Sequence, residues 1–155
     1  MPSDSPGAAG NNAAAPILQL GGVVAPLAAL NAWWLQWLGI GVAVVGITAT
    51  VYAQLDMGDS WRIGVDPAET TTLVRSGVFG WVRNPIFTAM LTFGLGIALV
   101  TPNVVAIAGF ALLVATIELQ VRVVEEPYLS TVHGAAYRDY LARVGRFVPR
   151  VGLRR

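Results

Sequence analysis

Residues 85–121 read PIFTAMLTFGLGIALVTPNVVAIAGFALLVATIELQV, a run in which Glu118 is the only ionisable group. Pro102 and Asn103 divide it into two apolar segments, 85–101 and 103–121. As helices rising 1.5 Å per residue, each covers roughly 25–29 Å, close to the thickness of a bilayer's hydrocarbon core. The Pro-Asn pair supplies a tight turn, so the run reads as a membrane-spanning hairpin.

Upstream, no charge occurs between Asp4 and Asp56. Residues 33–55 make a further span, with Trp33, Trp34 and Trp37 at its start, where amphipathic rings favour the headgroup level. Residues 16–32 are apolar but interrupted by Gly21, Gly22 and Pro26, and complete a fourth span joined to the second by a short link near Asn31. Residues 1–15, rich in Ala, Gly, Ser, Pro and Asn, carry no basic region typical of a leader and read as a disordered tail. The expected architecture is all-α: a polytopic membrane protein of about four transmembrane helices, forming a single domain over 16–155.

The composition agrees. Of 155 residues, 55% are hydrophobic and 12% charged, against roughly 25% charged in ordinary globular chains. A net charge of +1 excludes a nucleic-acid binder on electrostatic grounds. With no cysteine, thiolate metal sites and cysteine nucleophiles are excluded. A lone histidine, His133, leaves no metal set, and reads as structural.

All ten basic residues are arginines, and all lie in 56–84 or 122–155. With four spans those two segments share a side, which the positive-inside rule places in the cytoplasm. From Arg122 onward Leu129, Val132, Ala136, Tyr137, Tyr140, Leu141 and Val144 recur at helical spacing, giving an amphipathic helix expected to lie on the membrane surface.

Glu118, Arg122 and Glu126 are spaced i, i+4, i+8, the spacing of a charge ladder on one helix face, with Glu125 beside it. An ionisable group inside a span, such as Glu118, is a functional-site hypothesis by default. Arg83 precedes Pro85 at the entry of the hairpin, where a snorkelling arginine is equally ordinary.

The combination is more specific than its parts. Gly77-x-Phe79-x3-Arg83-Asn84-Pro85-x-Phe87, a hydrophobic hairpin, then Glu125-Glu126 resembles the Arg-His-Pro-x-Tyr, hydrophobic, Glu-Glu signature of isoprenylcysteine carboxyl methyltransferases and related membrane phospholipid methyltransferases. Gly134-x2-Tyr137-x2-Tyr140 and Arg146-Phe147-Val148-Pro149 resemble the same family, and Met57-Gly58-x-Ser60-Trp61-Arg62 its bacterial branch. The similarity runs from about Met57 to Pro149. It departs where Asn84 replaces a histidine, and where Phe87 and Phe79 replace tyrosines.

The resemblance implies S-adenosylmethionine as cofactor, bound without a Rossmann unit. Carried over by position, its contacts fall on Thr71, Thr72, Leu73, Val74, Phe79, Asn84, Pro85, Ile86, Phe87 and Glu125. Arg83, Arg122 and Glu126 are the expected catalytic set, the two arginines converging on an acceptor carboxylate from the two ends of the hairpin. The implied acceptor is a lipophilic or lipid-modified molecule meeting the enzyme at the cytoplasmic face of the cell membrane. Two rival activities are methylation of a lipid amine and proton-coupled export of lipophilic cations through Glu118. A non-catalytic membrane partner is the third alternative.

Overall fold

The computed structural model describes residues 24–57 and 73–154. The N-terminal tail, residues 16–23 of the expected first span, and Thr71 and Thr72 lie outside the described residues. Of that span only 24–32 is described; it carries a 3-10 turn, Ala28–Leu30, and no α-helix.

Beyond this turn lie four α-helices: α1 (Trp33–Met57), α2 (Pro85–Val100), α3 (Val104–Gln120) and α4 (Glu126–Arg143). The ends of the first three lie one or two residues from the sequence boundaries 33–55, 85–101 and 103–121. No strand occurs among the described residues, beyond one isolated bridge between Val82 and Gly145.

α2 begins at Pro85, where the missing N–H costs nothing and the fixed φ suits a first turn. Asn103 caps α3 by accepting a hydrogen bond from the Ala106 N–H at 2.8 Å. α1 and α2 pack closely and antiparallel through small residues. Gly39, Ala43, Gly46 and Ala53 are the buried positions of α1. A Cβ on Gly46 would sit 2.5 Å from the Phe93 amide, and one on Gly39 2.8 Å from the Gly96 carbonyl. In lipid, where apolar side chains gain little by association, such close backbone approach is what holds helices together.

α1 and the continuous helical path Val104–Arg143 are both long and apolar enough to cross a membrane; α2 is a shorter apolar helix. The most apolar stretches of the two long helices are only 22% and 11% buried. A core helix of a soluble protein would be covered by its own fold, so these apolar faces require an apolar surrounding. At 1.5 Å per residue the 40-residue path is about 60 Å long, roughly twice the hydrocarbon thickness.

Two features of this path depart from the regular helix that residue spacing implies. A π-helical turn, Val121–Glu125, joins α3 to α4. One extra residue in a turn rotates the rest of the helix by about 100°. Arg122 pairs with Glu118, while Glu126 is turned away to other partners, so the expected three-member ladder is broken after its first rung. α4 is also kinked at Gly134 (φ 52°, ψ −122°). Tyr137, Tyr140 and Leu141 point inward and pack with Leu73, Leu129 and Val144. Val132 and Ala136, assigned to the same face by spacing, are exposed. Most of the apolar face thus covers the preceding loop.

The described part of that loop, 73–84, is held at two adjacent residues, Val78 and Phe79. Gly77 has φ +57°, and a Cβ there would collide with the Asp56 carboxylate, which accepts a hydrogen bond from the Val78 N–H at 2.9 Å. The Tyr140 hydroxyl donates to the Phe79 carbonyl.

Candidate active site

The C-terminal segment after α4 runs back along the entry of α2. Arg83 N–H donates to the Gly145 carbonyl at 2.8 Å and Asn84 N–H to the Arg146 carbonyl at 3.1 Å. Thr88 Oγ1 donates to the Phe147 carbonyl at 2.9 Å. This pairing carries Arg146 and Arg154 to Glu126. Arg146 grips the carboxylate in a fork, Nε to Oε1 at 2.8 Å and Nη2 to Oε2 at 3.1 Å. Arg154 Nη1 lies 3.0 Å from Oε2 and Arg83 Nη2 3.3 Å from Oε1.

Glu126 is 2% exposed. Burial disfavours its charge, but the Arg146 hydrogen bonds and the charges of Arg146, Arg83 and Arg154 outweigh that, holding its pKa below the usual carboxylate value. Arg146 is raised, first by its hydrogen bond to Glu126. Arg83 is lowered by burial, with Glu126 opposing. Burial also pushes the Tyr137 and Tyr140 hydroxyls up to about 12.

Arg83 is over-supplied with donors. Its Nη2 serves Glu126 and the Gly152 carbonyl, while its buried Nε and Nη1 have no hydrogen-bond partner. Unpaired buried donors are rare and costly, which makes them markers of a ligand position. Arg83 lines two adjoining cavities of about 310 and 190 Å³, the first at the lower end of the roughly 300–1,000 Å³ typical of small-molecule sites and the second below it.

The larger is walled by Asn84, Pro85, Ile86, Phe87 and Glu125; the smaller by Leu73, Val74, His133, Tyr137 and Tyr140. Met57, Phe79, Arg83, Asn84 and Leu129 border both. Burial, reinforced by the adjacent Glu126, raises the Glu125 pKa, and the ion pairs among the described residues go to Glu118 and Glu126. A third cavity of about 440 Å³ opens between α1 and α2, bordered by Tyr52, Ala53, Trp81, Thr88 and Ala89.

The described residues assigned to a cofactor by position all line the two adjoining cavities. Arg122 and Glu126 line neither. Arg122 is exposed and held by Glu118 at 2.5 Å; it does not converge with Arg83. Glu126 is enclosed by arginines and is the anchor that sets Arg83. The residue spacing did not single out Arg146 or Arg154 for this cluster, because their approach depends on how the tail turns back. Nor did it assign His133 a place in the cavity wall.

The fold and site define a class: all-α proteins with helices of membrane length whose loop and last helix enclose two adjoining cavities bordered by one buried arginine. The chain belongs to the phospholipid methyltransferase family, whose model matches residues 34–136. It is 27% identical over 119 residues to protein-S-isoprenylcysteine O-methyltransferase B of Arabidopsis thaliana, covering 76% of this chain and 60% of that protein. The corresponding Tribolium castaneum enzyme is 25% identical over 118 residues, covering 75% of this chain and 42% of that protein. Among solved structures, the eukaryotic intramembrane Ras methyltransferase, isoprenylcysteine carboxyl methyltransferase, superposes with a TM-score of 0.69 at 25% identity, over 82% of this chain and 47% of that one. The chain thus spans about half the length of the relatives it matches.

Proposed function

We propose that this chain is an S-adenosylmethionine-dependent methyltransferase that esterifies the carboxylate of a lipophilic, isoprenylcysteine-like acceptor at the cytoplasmic face of a cell membrane. The observation that carries this reading is Arg83, which lines a cavity also bordered by Glu125 and has two buried nitrogens without a hydrogen-bond partner. A site bordered by a cation and an anion suits a ligand set containing both a carboxylate and an ammonium. The names of the relatives support the acceptor class, and the arginine distribution supports the orientation.

When bound, S-adenosylmethionine supplies an electrophilic methyl group. Glu125 holds the ammonium, in surroundings where loss of water strengthens the pairing. Leu73, Val74, Phe79, Phe87 and the adjoining Asn84, Pro85 and Ile86 enclose the apolar and aromatic parts, with Thr71 and Thr72 assigned to the same contact. Arg83 orients the acceptor carboxylate through a planar fork. Because that nucleophile is already an anion, the protein needs no general base, and its contribution is positioning and exclusion of water. The cavity between α1 and α2 is lined mostly by apolar residues, so it suits the acceptor's hydrocarbon tail.

Methylation of a lipid amine is the second reading, favoured by Glu125, which would attract an amine as readily as a cofactor ammonium. The export reading draws nothing from the geometry, since Glu118 is held by Arg122 and lies 3.5 Å from Arg146. The test is binding of radiolabelled S-adenosylmethionine to the detergent-solubilised chain, followed by transfer to an S-prenylated cysteine derivative or to phosphatidylethanolamine. Saturable binding with label on the prenylated acid is the expected result. Absence of cofactor binding ends the methyltransferase reading.

A further inference from the structure

We propose that His133 forms, with Arg83, a carboxylate subsite in the smaller cavity, its Nε2 donating to the same ligand carboxylate that the free Nε and Nη1 of Arg83 hold. The proposal rests on the methyltransferase reading and names a contact that reading does not supply.

Among the described residues, the buried side-chain nitrogens without a hydrogen-bond partner are Arg83 Nε, Arg83 Nη1 and His133 Nε2. All belong to the two residues that bring donors of this kind to one cavity wall. Of the other polar groups there, the Tyr140 hydroxyl donates to the Phe79 carbonyl and the Asn84 amide to the Arg146 carbonyl at 3.3 Å, while the Tyr137 hydroxyl completes the wall. No acidic side chain borders this cavity; Glu125 borders its neighbour. Unmatched donors gathered at a pocket without an acidic side chain suit an anion better than an ammonium.

His133 reaches this position because α4 is kinked one residue later, at Gly134, while Tyr137 and Leu129 on either side pack inward. The imidazole Nε2–H donates whether the ring is neutral in that tautomer or charged. A histidine that merely filled space would leave Nε2 unmatched in the wall of a cavity that a second residue with unmatched donors also lines.

The carboxylate has two possible sources, the acceptor's own and that of the cofactor's amino-acid end, and the chemistry of the subsite is the same for both. Because His133 is the only histidine, ¹⁵N-histidine labelling of the unsubstituted protein gives a single imidazole spectrum. Its Nε2 resonance is expected to move on adding a ligand that places a carboxylate there. Movement with S-adenosylhomocysteine, but not with its decarboxylated analogue, assigns the cofactor carboxylate. Movement only with a prenylated cysteine acid, and not with its methyl ester, assigns the acceptor.

His133→Phe keeps a ring and removes the donor. It is expected to weaken the assigned ligand about ten-fold or more, as Kd or KM, with kcat less affected. His133→Gln restores an amide donor and should recover most of the loss. If cofactor binding is intact while the resonance stays unmoved by both ligands and His133→Phe binds as the parent does, His133 is structural and the proposal fails alone. If no cofactor binds at all, the underlying reading fails and the subsite falls with it.

Discussion

Arg83 Nη2 lies 3.3 Å from Glu126 Oε1, and each side chain is 2% exposed. Glu126 thereby sets which nitrogens of Arg83 remain free for a ligand. Arg146 and Arg154 complete its surroundings, so one buried carboxylate organises three cations.

Glu126→Ala leaves those cations without their shared partner. Breaking a buried ion pair by removing one member typically costs about 3–5 kcal/mol. The expected outcome is a large drop in melting temperature in detergent. If Glu126→Ala melts like the parent but has lost methyl transfer, Glu126 acts on the ligand, as its place in the Glu-Glu signature implied.

Arg122 sits in an exposed i, i+4 pair with Glu118, an arrangement worth about 0–1 kcal/mol. Arg122→Lys should change neither melting temperature nor turnover by more than a few fold, whereas Arg83→Lys should sharply reduce turnover while cofactor affinity changes less. A selective loss of turnover in Arg122→Lys would return that residue to the acceptor.

These two residues show how far the sequence carries. The helices were legible because their apolar runs are long, bounded by Pro85, Pro102 and charges, and part of the cavity lining was legible only through the family resemblance carried by 71–87 and Glu125. The roles of Arg122 and Glu126 were not. Their i, i+4 spacing assumes an unbroken α-helix, and the π turn at 121–125 leaves no mark in residue type. Arg146 and Arg154 reach Glu126 only through backbone pairing of the tail with 83–84, a long-range contact that periodicity does not encode. His133 looked structural because unpartnered atoms are visible only in three dimensions.

The α1–α2 contact offers a paired test. Gly46→Leu must displace the Phe93 backbone, whereas Gly41 on the same helix has nothing near its Cβ position. Overpacking costs about 1–3 kcal/mol, and more where backbone must move. Gly46→Leu should lower the melting temperature clearly and Gly41→Leu leave it near the parent value. Equal effects would mean the two helices do not pack through this stripe.

Orientation is open to a labelling experiment, since the native chain has no cysteine. A cysteine at Arg150 should resist an impermeant thiol reagent in intact cells, and one at Asn31, by the opposite end of the hairpin, should react. Reaction at Arg150 from outside would place the arginine-rich face away from the cytoplasm.

Glu125 separates stability from binding, because its two expected effects have opposite signs. Burial and the neighbouring Glu126 raise its pKa in the folded chain. A carboxyl raised on folding binds its proton more tightly in the native state, so it opposes folding once the pH exceeds its unfolded value of about 4.3. Glu126 behaves in the reverse sense: its lowered pKa contributes stability above the unfolded value, lost as the pH falls through the folded one. Glu125→Gln removes the penalty, so the ligand-free variant should melt at or above the parent temperature at pH 7, with the gain vanishing toward pH 4. The same substitution removes the charge assigned to the cofactor ammonium, and losing a charge-assisted bond costs about 1.5–3 kcal/mol, roughly 10- to 150-fold in affinity. Stabilisation by added S-adenosylmethionine should therefore shrink or disappear. A variant that melts higher yet binds the cofactor as the parent does would leave Glu125 as a strained carboxylate with no part in the site.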